Sequence, residues 1–337
     1  MEKEYIKPIK LGNLELPNNV FYSPLAGCSD LPFRSICKLF SPGLIFCEMV
    51  KMDALVRHDV NTYQILEYSH SMHPIGGQLV GSKLEYAAQS AKIIEDLGFD
   101  VVDLNCGCPV DKVTKDKSGS GLLLHPELIG DILNEMVNAV SIPVTVKIRA
   151  GWDESQIVAP QITTIAEEAG AKMISIHGRT RKQGYKGFAD WDVIAQCKAK
   201  AKSIIVTANG DIFSPEAAKR CFDQTGCDAV LASRATMGKP WIAEDIIRYL
   251  KGQPAMLRDG GFIKEILTHH FALIIATQTP RKAITDIRRV GCWYLKDANN
   301  AKNLRHQLNK MQSLEELDDI LMAFPWHELG EPQKVLI

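Results

Sequence analysis

Long apolar runs are missing from this sequence, and so are the usual signs of a secreted protein. No stretch approaches the roughly 18 consecutive apolar residues that a membrane-spanning helix needs. The N-terminal residues Met1-Glu2-Lys3-Glu4 show no basic segment followed by an apolar core, so we expect no secretory signal. The nine cysteines are scattered and odd in number, which favours reduced thiols over a disulfide framework. We therefore expect a cytoplasmic protein without a membrane contact.

Two familiar ligand patterns are also missing. No second cysteine pair accompanies Cys106 and Cys108, and a lone C-x-C is a poor zinc pattern, so we expect no metal. No G-x-G-x-x-G follows the first predicted strand, which argues against a doubly wound open sheet that binds a dinucleotide.

Charge is unevenly distributed, although the net charge is only −1. Residues 251–310 carry eleven Lys and Arg against four Asp and Glu, and residues 311–337 carry one lysine against six acids. A basic block beside a near-neutral body is typical of a surface for a polyanion. A solvated helical face without a partner is the alternative interpretation.

Short β-type segments alternate with helix-type segments through the first 250 residues. The predicted strands occupy residues 21–26, 44–50, 75–80, 101–105, 144–149, 173–178, 203–208 and 229–233. The main predicted helices between them occupy residues 83–97, 126–140, 155–169, 191–199 and 215–224. Eight such repeats predict a parallel sheet closed into a (β/α)₈ TIM barrel of the α/β class, for which about 250 residues is typical. A doubly wound open sheet is the competing fold.

Only helix-type periodicity remains after residue 252. The predicted helices occupy residues 262–279, 284–296, 301–311 and 314–323. A length of 337 residues accommodates a large domain and a smaller one. We predict a barrel domain over residues 1–250 and a smaller all-helical C-terminal domain over residues 251–337, with a linker near Gln253-Pro254 or Gly260-Gly261.

Nearly every predicted strand ends on polar or glycine-rich residues. The groups at these ends are Pro24-Leu25-Ala26-Gly27, Glu48, Gln78, Asn105 with Cys108, Lys147 with Arg149, His177 with Arg179, Asn209-Gly210-Asp211 and Ser233-Arg234. The C-terminal strand ends of a TIM barrel carry its active site. Their convergence on one rim predicts a site for a large, polar, phosphate-bearing ligand.

Two features of this rim favour phosphate. Gly210 and Arg234 follow the seventh and eighth strands, whose loops bind phosphate in many TIM barrels. Lys147 lies inside an apolar strand, where a lysine is costly unless it is paired, and a bound anion would pair it. A tight turn at Gly210 and structural ion pairs of Arg234 and Lys147 are the alternatives.

Cys108 is the residue with the richest chemistry. A thiol that is held close to a carbon atom can act as a general acid toward it. An inert core thiol is the alternative, and spacing does not choose between Cys108 and Cys106.

Taken in their order along the chain, the motifs at the strand ends resemble those of the tRNA-dihydrouridine synthases, flavoenzymes that reduce uridine in tRNA. The segment from Asn105 to Lys112 is similar to the Asn-x-Gly-Cys-Pro box of that family, whose cysteine falls on Cys108. The other matching segments are Ser23–Gly27, Asp30–Arg34, Glu48–Val50, Gln78, Val146–Arg149, His177–Arg181, Asn209–Asp211, Ser233-Arg234 and Trp293–Lys296. Ser233 stands where the family usually has glycine, and Cys28 stands where a larger aliphatic residue or threonine is common.

The resemblance implies FMN across the barrel mouth. The implied cofactor-binding residues are Pro24, Leu25, Ala26, Gln78, Lys147, His177, Asn209, Gly210, Asp211, Ser233 and Arg234. It also implies that NADPH, or NADH, reduces the flavin, that flavin N5 delivers hydride to C6 of uracil, and that Cys108 protonates C5. Lys147 would face the N1/O2 edge of the flavin, where positive charge stabilises its reduced form.

The resemblance further implies that the uridine is turned out of the folded tRNA, and that a basic surface holds the RNA. The implied substrate-binding residues are Asn105, Arg149, Arg179, Arg281, Lys282, Arg288, Arg289 and Lys296. We expect a monomer. Two alternatives stay open at this point, namely another FMN-dependent barrel that acts on a small molecule and a tRNA-binding factor without activity.

Overall fold

A parallel barrel forms most of the molecule. The computed structural model describes residues 3–296 and 298–329. The barrel strands are β3 (Val20–Tyr22), β4 (Ile45–Phe46), β5 (Val50–Lys51), β6 (Ile75–Val80), β7 (Val101–Cys106), β8 (Val144–Arg149), β9 (Met173–His177), β10 (Ile205–Asn209) and β11 (Ala229–Ala232). They pair in parallel in the order β3-β11-β10-β9-β8-β7-β6-β4, and β5 also pairs with β6. A bridge between Phe21 and Leu44 closes the ring, so the prediction of an eight-stranded TIM-type barrel is confirmed.

A β-hairpin closes the end of the barrel opposite the strand C-termini. It consists of β1 (Ile9–Leu11) and β2 (Leu14–Leu16) in antiparallel register. Its apolar side chains pack on a cluster that includes Val101, Met173 and Ala229, the first residues of β7, β9 and β11. This hairpin was not predicted, because its strands have only three residues each. Because the hairpin closes that end, the open mouth of the barrel lies at the C-terminal ends of the strands.

Helices surround the barrel. They are α1 (Leu31–Lys38), α2 (Met52–Val56), α3 (Val60–Ile65), α4 (Ala87–Asp96), α5 (Asp111–Thr114), α6 (Pro126–Ala139), α7 (Ala159–Glu168), α8 (Trp191–Lys200), α9 (Pro215–Thr225) and α10 (Ile242–Leu250). The helix α9 shows why the bounds were predictable, because Ser214 caps its first turn and Gly226 ends it with a φ of 62°.

Several predicted bounds differ from those of the structure. The strand predicted over residues 44–50 is the two short strands β4 and β5, and the helix predicted from residue 284 begins at Pro280. The first strand ends at Tyr22, because Leu25 and Ser29 form a hydrogen-bonded turn beyond it. The helix predicted over residues 83–97 begins with a 3₁₀ turn, and the one predicted from residue 155 begins at Ala159. Helices α1 and α10, which border the C-terminal helices, were not predicted.

The C-terminal helices are α11 (Gly260–Thr277), α12 (Pro280–Leu295), α13 (Lys302–Lys310) and α14 (Glu316–Ala323). They surround an apolar cluster that also includes Ile36, Phe40 and Trp241 from the barrel side. Residues 251–259 connect α10 to α11, and Gly260 and Gly261 lie in the first turn of α11. Residues 330–337, at the end of the predicted C-terminal domain, lie outside the described residues. No helix of the described chain is long and apolar enough to cross a bilayer.

Candidate active site

A chain of buried side chains leads from the barrel interior to its mouth. The Thr145 hydroxyl and the Gln78 amide both donate to the Asp103 carboxylate, at 2.5 and 2.7 Å. Asn105 Nδ2 donates to Gln78 Oε1 at 2.8 Å. Because the carboxylate only accepts, it fixes which end of the Gln78 amide faces Asn105, and Gln78 then fixes the Asn105 amide.

Asn105, oriented in this way, positions the loop that carries Cys108. Its Oδ1 accepts the backbone N–H of Gly107 at 3.0 Å and that of Cys108 at 2.9 Å. The Cys108 carbonyl accepts both the N–H and the hydroxyl of Ser120, at 3.0 and 2.9 Å. The thiol is thus held on a fixed backbone and is only partly buried, whereas Cys106 is fully buried at the end of β7.

Arg149 secures the same loop from the neighbouring strand. Its Nε donates to the Gly107 carbonyl at 2.9 Å, and its Nη1 donates to the carbonyls of Thr180 and Gly184 at 3.0 and 2.9 Å. The side chain is only 2% exposed. Arg149, which we predicted to bind substrate, therefore has three of its five donors engaged in joining the Cys108 loop to the loop after β9.

Burial sets the charges at the centre of the site. It raises the pKa of Asp103 to about 6, against the opposing effects of the Gln78 and Thr145 hydrogen bonds and of Lys147. It lowers the pKa of the Lys147 amine to about 8, and the charge of Arg149 adds to this effect while Asp103 and Cys108 oppose it. Within the described chain, no hydrogen bond or ion pair is formed by Lys147 Nζ, which leaves a cation without a partner beside Cys108.

Cations gather on the β8–β11 side of the mouth. Burial lowers the pKa of His177 well below its usual value, and the charges of Lys147, Arg149, Arg179 and Arg234 add to the effect. His177 is therefore neutral, and its Nε2 lies 3.4 Å from Arg179 Nη1. Arg179 Nη2 donates to Asp211 at 2.8 Å and to the Gly187 carbonyl at 2.6 Å. Its predicted role in substrate binding thus competes with this ion pair, in which the Arg179 side chain is only 3% exposed.

The predicted phosphate residues come together at the ends of β10 and β11. Asn209 Nδ2 donates to the Leu231 carbonyl at 2.7 Å and to the Ser233 hydroxyl at 2.8 Å. Gly210 has a φ of 110°, and a Cβ there would approach Ala189 to 2.7 Å and His177 to 2.9 Å, so only glycine fits. The Arg234 guanidinium lies 3.7 Å from Asp211 and 37% of its side chain is exposed, which leaves donors for an anion.

The opposite side of the mouth borders the C-terminal helices. There the loop from Pro24 to Gly27 is half-buried to exposed. The Gly27 N–H donates to Glu48, and the Gly27 carbonyl accepts a hydrogen bond from Arg289 of α12. Arg289 also pairs with Asp286 at 3.0 Å and stacks on Trp293. Arg289 thereby joins α12 to the mouth of the barrel.

The other predicted RNA contacts differ in their surroundings. Arg281, Lys282 and Lys296 are exposed on or just after α12, and Lys282 pairs with Asp286 at 2.8 Å. Arg288 instead donates to the Met311 carbonyl at the end of α13, which is a structural contact. The basic surface of α12 therefore consists of fewer free cations than the sequence suggests.

Several residues of the site were not predicted from the sequence. Asp103 and Thr145 lie inside apolar strands, and their positions facing the barrel interior were the available signal. Tyr185 lies against Arg149 and Arg234, 5.6 and 4.4 Å from their guanidinium carbons, but its place in a loop gave no signal. Among the described residues, no group of three or more His, Cys, Asp and Glu side chains could hold a metal ion.

An eight-stranded parallel barrel with titratable groups at its strand C-termini defines the class of α/β-barrel enzymes. Two of the solved structures that share this fold illustrate the likeness. The TM-score is 0.55 with the histamine dehydrogenase of Rhizobium sp. 4-9, which is 12% identical, and 0.54 with a 2-naphthoyl-CoA reductase, which is 13% identical. The alignments cover 79% and 75% of this chain but only 51% and 53% of those proteins, so the chain spans about half their length.

Sequence comparison narrows the class to one family. Residues 21–325 match the family model of the dihydrouridine synthases. A probable tRNA-dihydrouridine synthase 1 of Synechocystis is 37% identical over 94% of this chain and 89% of its own length. The tRNA-dihydrouridine synthase B of Pseudomonas aeruginosa is 35% identical over 90% of this chain and 92% of its own length. The chain belongs to the dihydrouridine synthase family, and the prediction of an enzyme of this family is confirmed.

Proposed function

We propose that this dihydrouridine synthase reduces the C5=C6 bond of uridine in tRNA, with FMN as cofactor and NADPH as reductant, and NADH as the alternative reductant. The observation that carries the proposal is the Cys108 loop, which Asn105 and Arg149 hold at the mouth of the barrel beside Lys147. The relatives from Synechocystis and Pseudomonas aeruginosa are tRNA-dihydrouridine synthases, which supports tRNA as the substrate. The flavin rests on the family, whose members are flavoenzymes.

The residues at the mouth fit a phosphate-bearing flavin. The left-handed backbone of Gly210 leaves no room for a Cβ, Arg234 has donors free, and the Lys147 amine has no partner within the described residues. The residues that would hold FMN are Pro24, Leu25, Ala26, Gln78, Lys147, His177, Asn209, Gly210, Asp211, Ser233 and Arg234. When bound, the reduced flavin supplies the hydride for C6 of the uracil ring.

Cys108 is the proposed proton donor to C5. The transfer leaves a thiolate, whose charge Lys147 and Arg149 stabilise, because both cations interact with this sulfur. The Asn105 oxygen accepts the N–H of Cys108 and thereby fixes the position of the acid. The second N–H of the Asn105 amide, whose partner in the fold is the weak acceptor Met49 Sδ at 3.5 Å, would orient the uracil. Lys147 would balance the negative charge of the reduced flavin.

The proposed RNA surface extends from the mouth onto the C-terminal helices. Arg281, Lys282 and Lys296 would contact phosphate, while Arg289 lies where α12 meets the mouth and would contact the strand next to the turned-out base. Arg149 and Arg179 would contribute mainly through the loops that they hold, and Arg288 through α13. We accordingly propose residues 1–250 as the catalytic domain and residues 251–337 as the tRNA-binding domain of a monomer that acts in the cytoplasm, where tRNA is modified.

The test is flavin-dependent turnover by the purified protein. We expect a yellow protein with bound FMN that oxidises NADPH and forms dihydrouridine when given unmodified tRNA. Turnover of free uridine or of enones, without turnover of tRNA, would instead indicate a barrel oxidoreductase for small molecules. A protein that binds tRNA but yields no dihydrouridine with either reductant would be a binding factor.

A further inference from the structure

Aromatic side chains are exposed on one side of the mouth. Phe188 is 75% exposed, Tyr185 is 57% exposed and Phe213 is 40% exposed. Tyr185 and Phe188 lie in the loop after β9, and Phe213 lies in the loop after β10. All three follow strand C-termini, so they lie at the same end of the barrel as Cys108 and not on its outer wall.

Phe188 is exposed on a backbone that is held in place. Gln183 Nε2 donates to the Phe188 carbonyl at 2.9 Å and to the Lys186 carbonyl at 3.0 Å. The next residue, Ala189, donates its N–H to Asp211 at 2.7 Å. A large apolar ring on a backbone fixed from both sides is pre-organised for a contact, and it contributes little to the core.

Guanidinium groups pack among these rings. The Arg234 guanidinium carbon lies 4.4 Å from the Tyr185 ring centre and 5.2 Å from the Phe213 ring centre, so one cation serves two rings. Arg181 lies over Trp152 at 4.7 Å and pairs with Asp111, which ties this loop to the segment after Cys108. Stacked arginines and exposed aromatic rings together are typical of sites for unpaired nucleotides.

The charge near these rings favours RNA over protein as the binding partner. In the loop from Arg179 to Asp190, the cations Arg179, Arg181 and Lys182 pair with Asp211, Asp111 and Asp153. The fourth cation of the loop, Lys186, is exposed. Lys112, Lys115 and Lys117 are exposed beyond Cys108 on the adjacent segment. A cationic surface with projecting rings complements the phosphates and bases of a single strand better than it complements an apolar protein face.

We propose that Phe188, which lies in the same loop as Tyr185 of the Tyr185–Arg234–Phe213 stack, forms a stacking platform for an unpaired RNA base that neighbours the turned-out uridine. The proposal rests on the function proposed above, and it adds the requirement that the RNA around the target be unpaired. Stacking needs only a ring face, so the platform tolerates any base. It would therefore contribute to the affinity for a loop, and not to the choice of sequence.

The test measures tRNA affinity and turnover separately. We expect Phe188→Ala to raise both the Kd and the KM for unmodified tRNA about tenfold, the size of one base–aromatic stack. We expect Phe188→Trp to stay within twofold of the wild type. Reduction of the bound flavin by NADPH without tRNA should not change. Tyr249→Ala is the matched control, because Tyr249 is an aromatic residue 44% exposed near the end of α10, at the opposite end of the barrel.

A second measurement does not need catalysis. A short single-stranded RNA with 2-aminopurine next to its uridine should change its fluorescence when it binds to the wild type. The change should be far smaller with Phe188→Ala. It should also be far smaller when the same RNA is given to the wild type as a duplex. Absence of dihydrouridine with the wild type would reject the proposed function, while this fluorescence response would still support the platform. Equal Kd and fluorescence for wild type and Phe188→Ala would reject the platform. A Phe188→Ala variant that loses self-association but keeps the RNA affinity of the wild type would also reject the platform.

Discussion

The side-chain oxygen of Asn105 accepts the backbone N–H of Cys108 at 2.9 Å. The amide that faces the mouth and the thiol that we propose as the acid are therefore a single rigid unit. Asp103 and Gln78 orient that unit from within the barrel, and Arg149 secures it from the side. The chemistry of the site depends on this support as much as on the thiol itself.

Replacing the thiol should stop the reaction without emptying the site. We expect Cys108→Ala to lower the rate of dihydrouridine formation by roughly 10²–10⁴-fold, the usual contribution of a positioned acid. Bound flavin, measured by absorbance, should stay at the wild-type level. Cys106→Ala is the control, because Cys106 is fully buried at the end of β7, and its activity should be close to that of the wild type. Full activity in Cys108→Ala would refute the assignment.

Asp103→Asn should disturb the orientation of Gln78 and Asn105. Gln78 and Thr145 donate to different oxygens of Asp103, and asparagine replaces one of these oxygens with an NH2 group, which cannot accept. We expect kcat to fall about tenfold while KM for tRNA stays within twofold. Thr145→Val, which removes only one donor, should have a smaller effect. An equal loss of kcat in Asp103→Asn and Thr145→Val would contradict the expectation that the first variant loses more.

The same substitution should change how stability depends on pH. The pKa of Asp103 is raised to about 6 in the fold, so its folded form binds a proton more tightly than its unfolded form does. The resulting stabilisation is complete below the unfolded pKa and is lost as pH rises through 6. Between pH 5 and 7 the wild type should lose about 1 kcal/mol relative to Asp103→Asn. Urea unfolding of the cofactor-free proteins at both pH values measures the difference.

Lys147→Met should stabilise the cofactor-free protein and weaken its flavin binding. Burial and Arg149 lower the pKa of Lys147 to about 8, so the charged amine opposes folding. We expect a gain of about 1–3 kcal/mol at pH 7, which shrinks as pH rises above 8 because the folded amine then loses its proton. Denaturant unfolding and flavin titration check the two effects. Wild-type flavin affinity in this variant would reject Lys147 as a cofactor contact.

Arg149→Lys should loosen the Cys108 loop. A lysine cannot reach the carbonyls of Gly107, Thr180 and Gly184 together, because it lacks the planar fork of donors. We expect kcat to fall at least tenfold, with faster proteolysis near residues 107–110. Arg288→Lys is the control, because Arg288 also donates to a backbone carbonyl but on α13. It should lower stability and leave kcat unchanged.

The exposed cations of α12 should show in the salt dependence of RNA binding. We expect Lys282→Ala to weaken tRNA binding and to reduce the slope of log K against log salt by roughly 0.7–0.9, the value for one phosphate contact. Lys92→Ala is matched to it, because Lys92 also pairs with an acid four residues on, but on the outer barrel helix α4. Unchanged slopes in Lys282→Ala would exclude this residue from the RNA surface.

The sequence alone determined the architecture and the order of the chemistry along the barrel. The β8 and α9 bounds were predictable because alternating apolar residues, an N-terminal serine cap and a C-terminal glycine act locally. The Cys108 box, Lys147 and the Asn209–Asp211 turn were visible because each follows a strand, and strand ends meet at one rim.

Only the tertiary structure decided which polar groups are free to act. Arg149, Arg179 and Arg288 are cations in the sequence, but their donors are used by backbone carbonyls and Asp211, partners that lie far along the chain. Asp103 became part of the site, and Phe188 became an exposed ring on a fixed loop, through contacts between neighbouring strands and loops. Local patterns cannot determine such roles, because the free energy of a polar group depends on the partners that the whole fold brings to it.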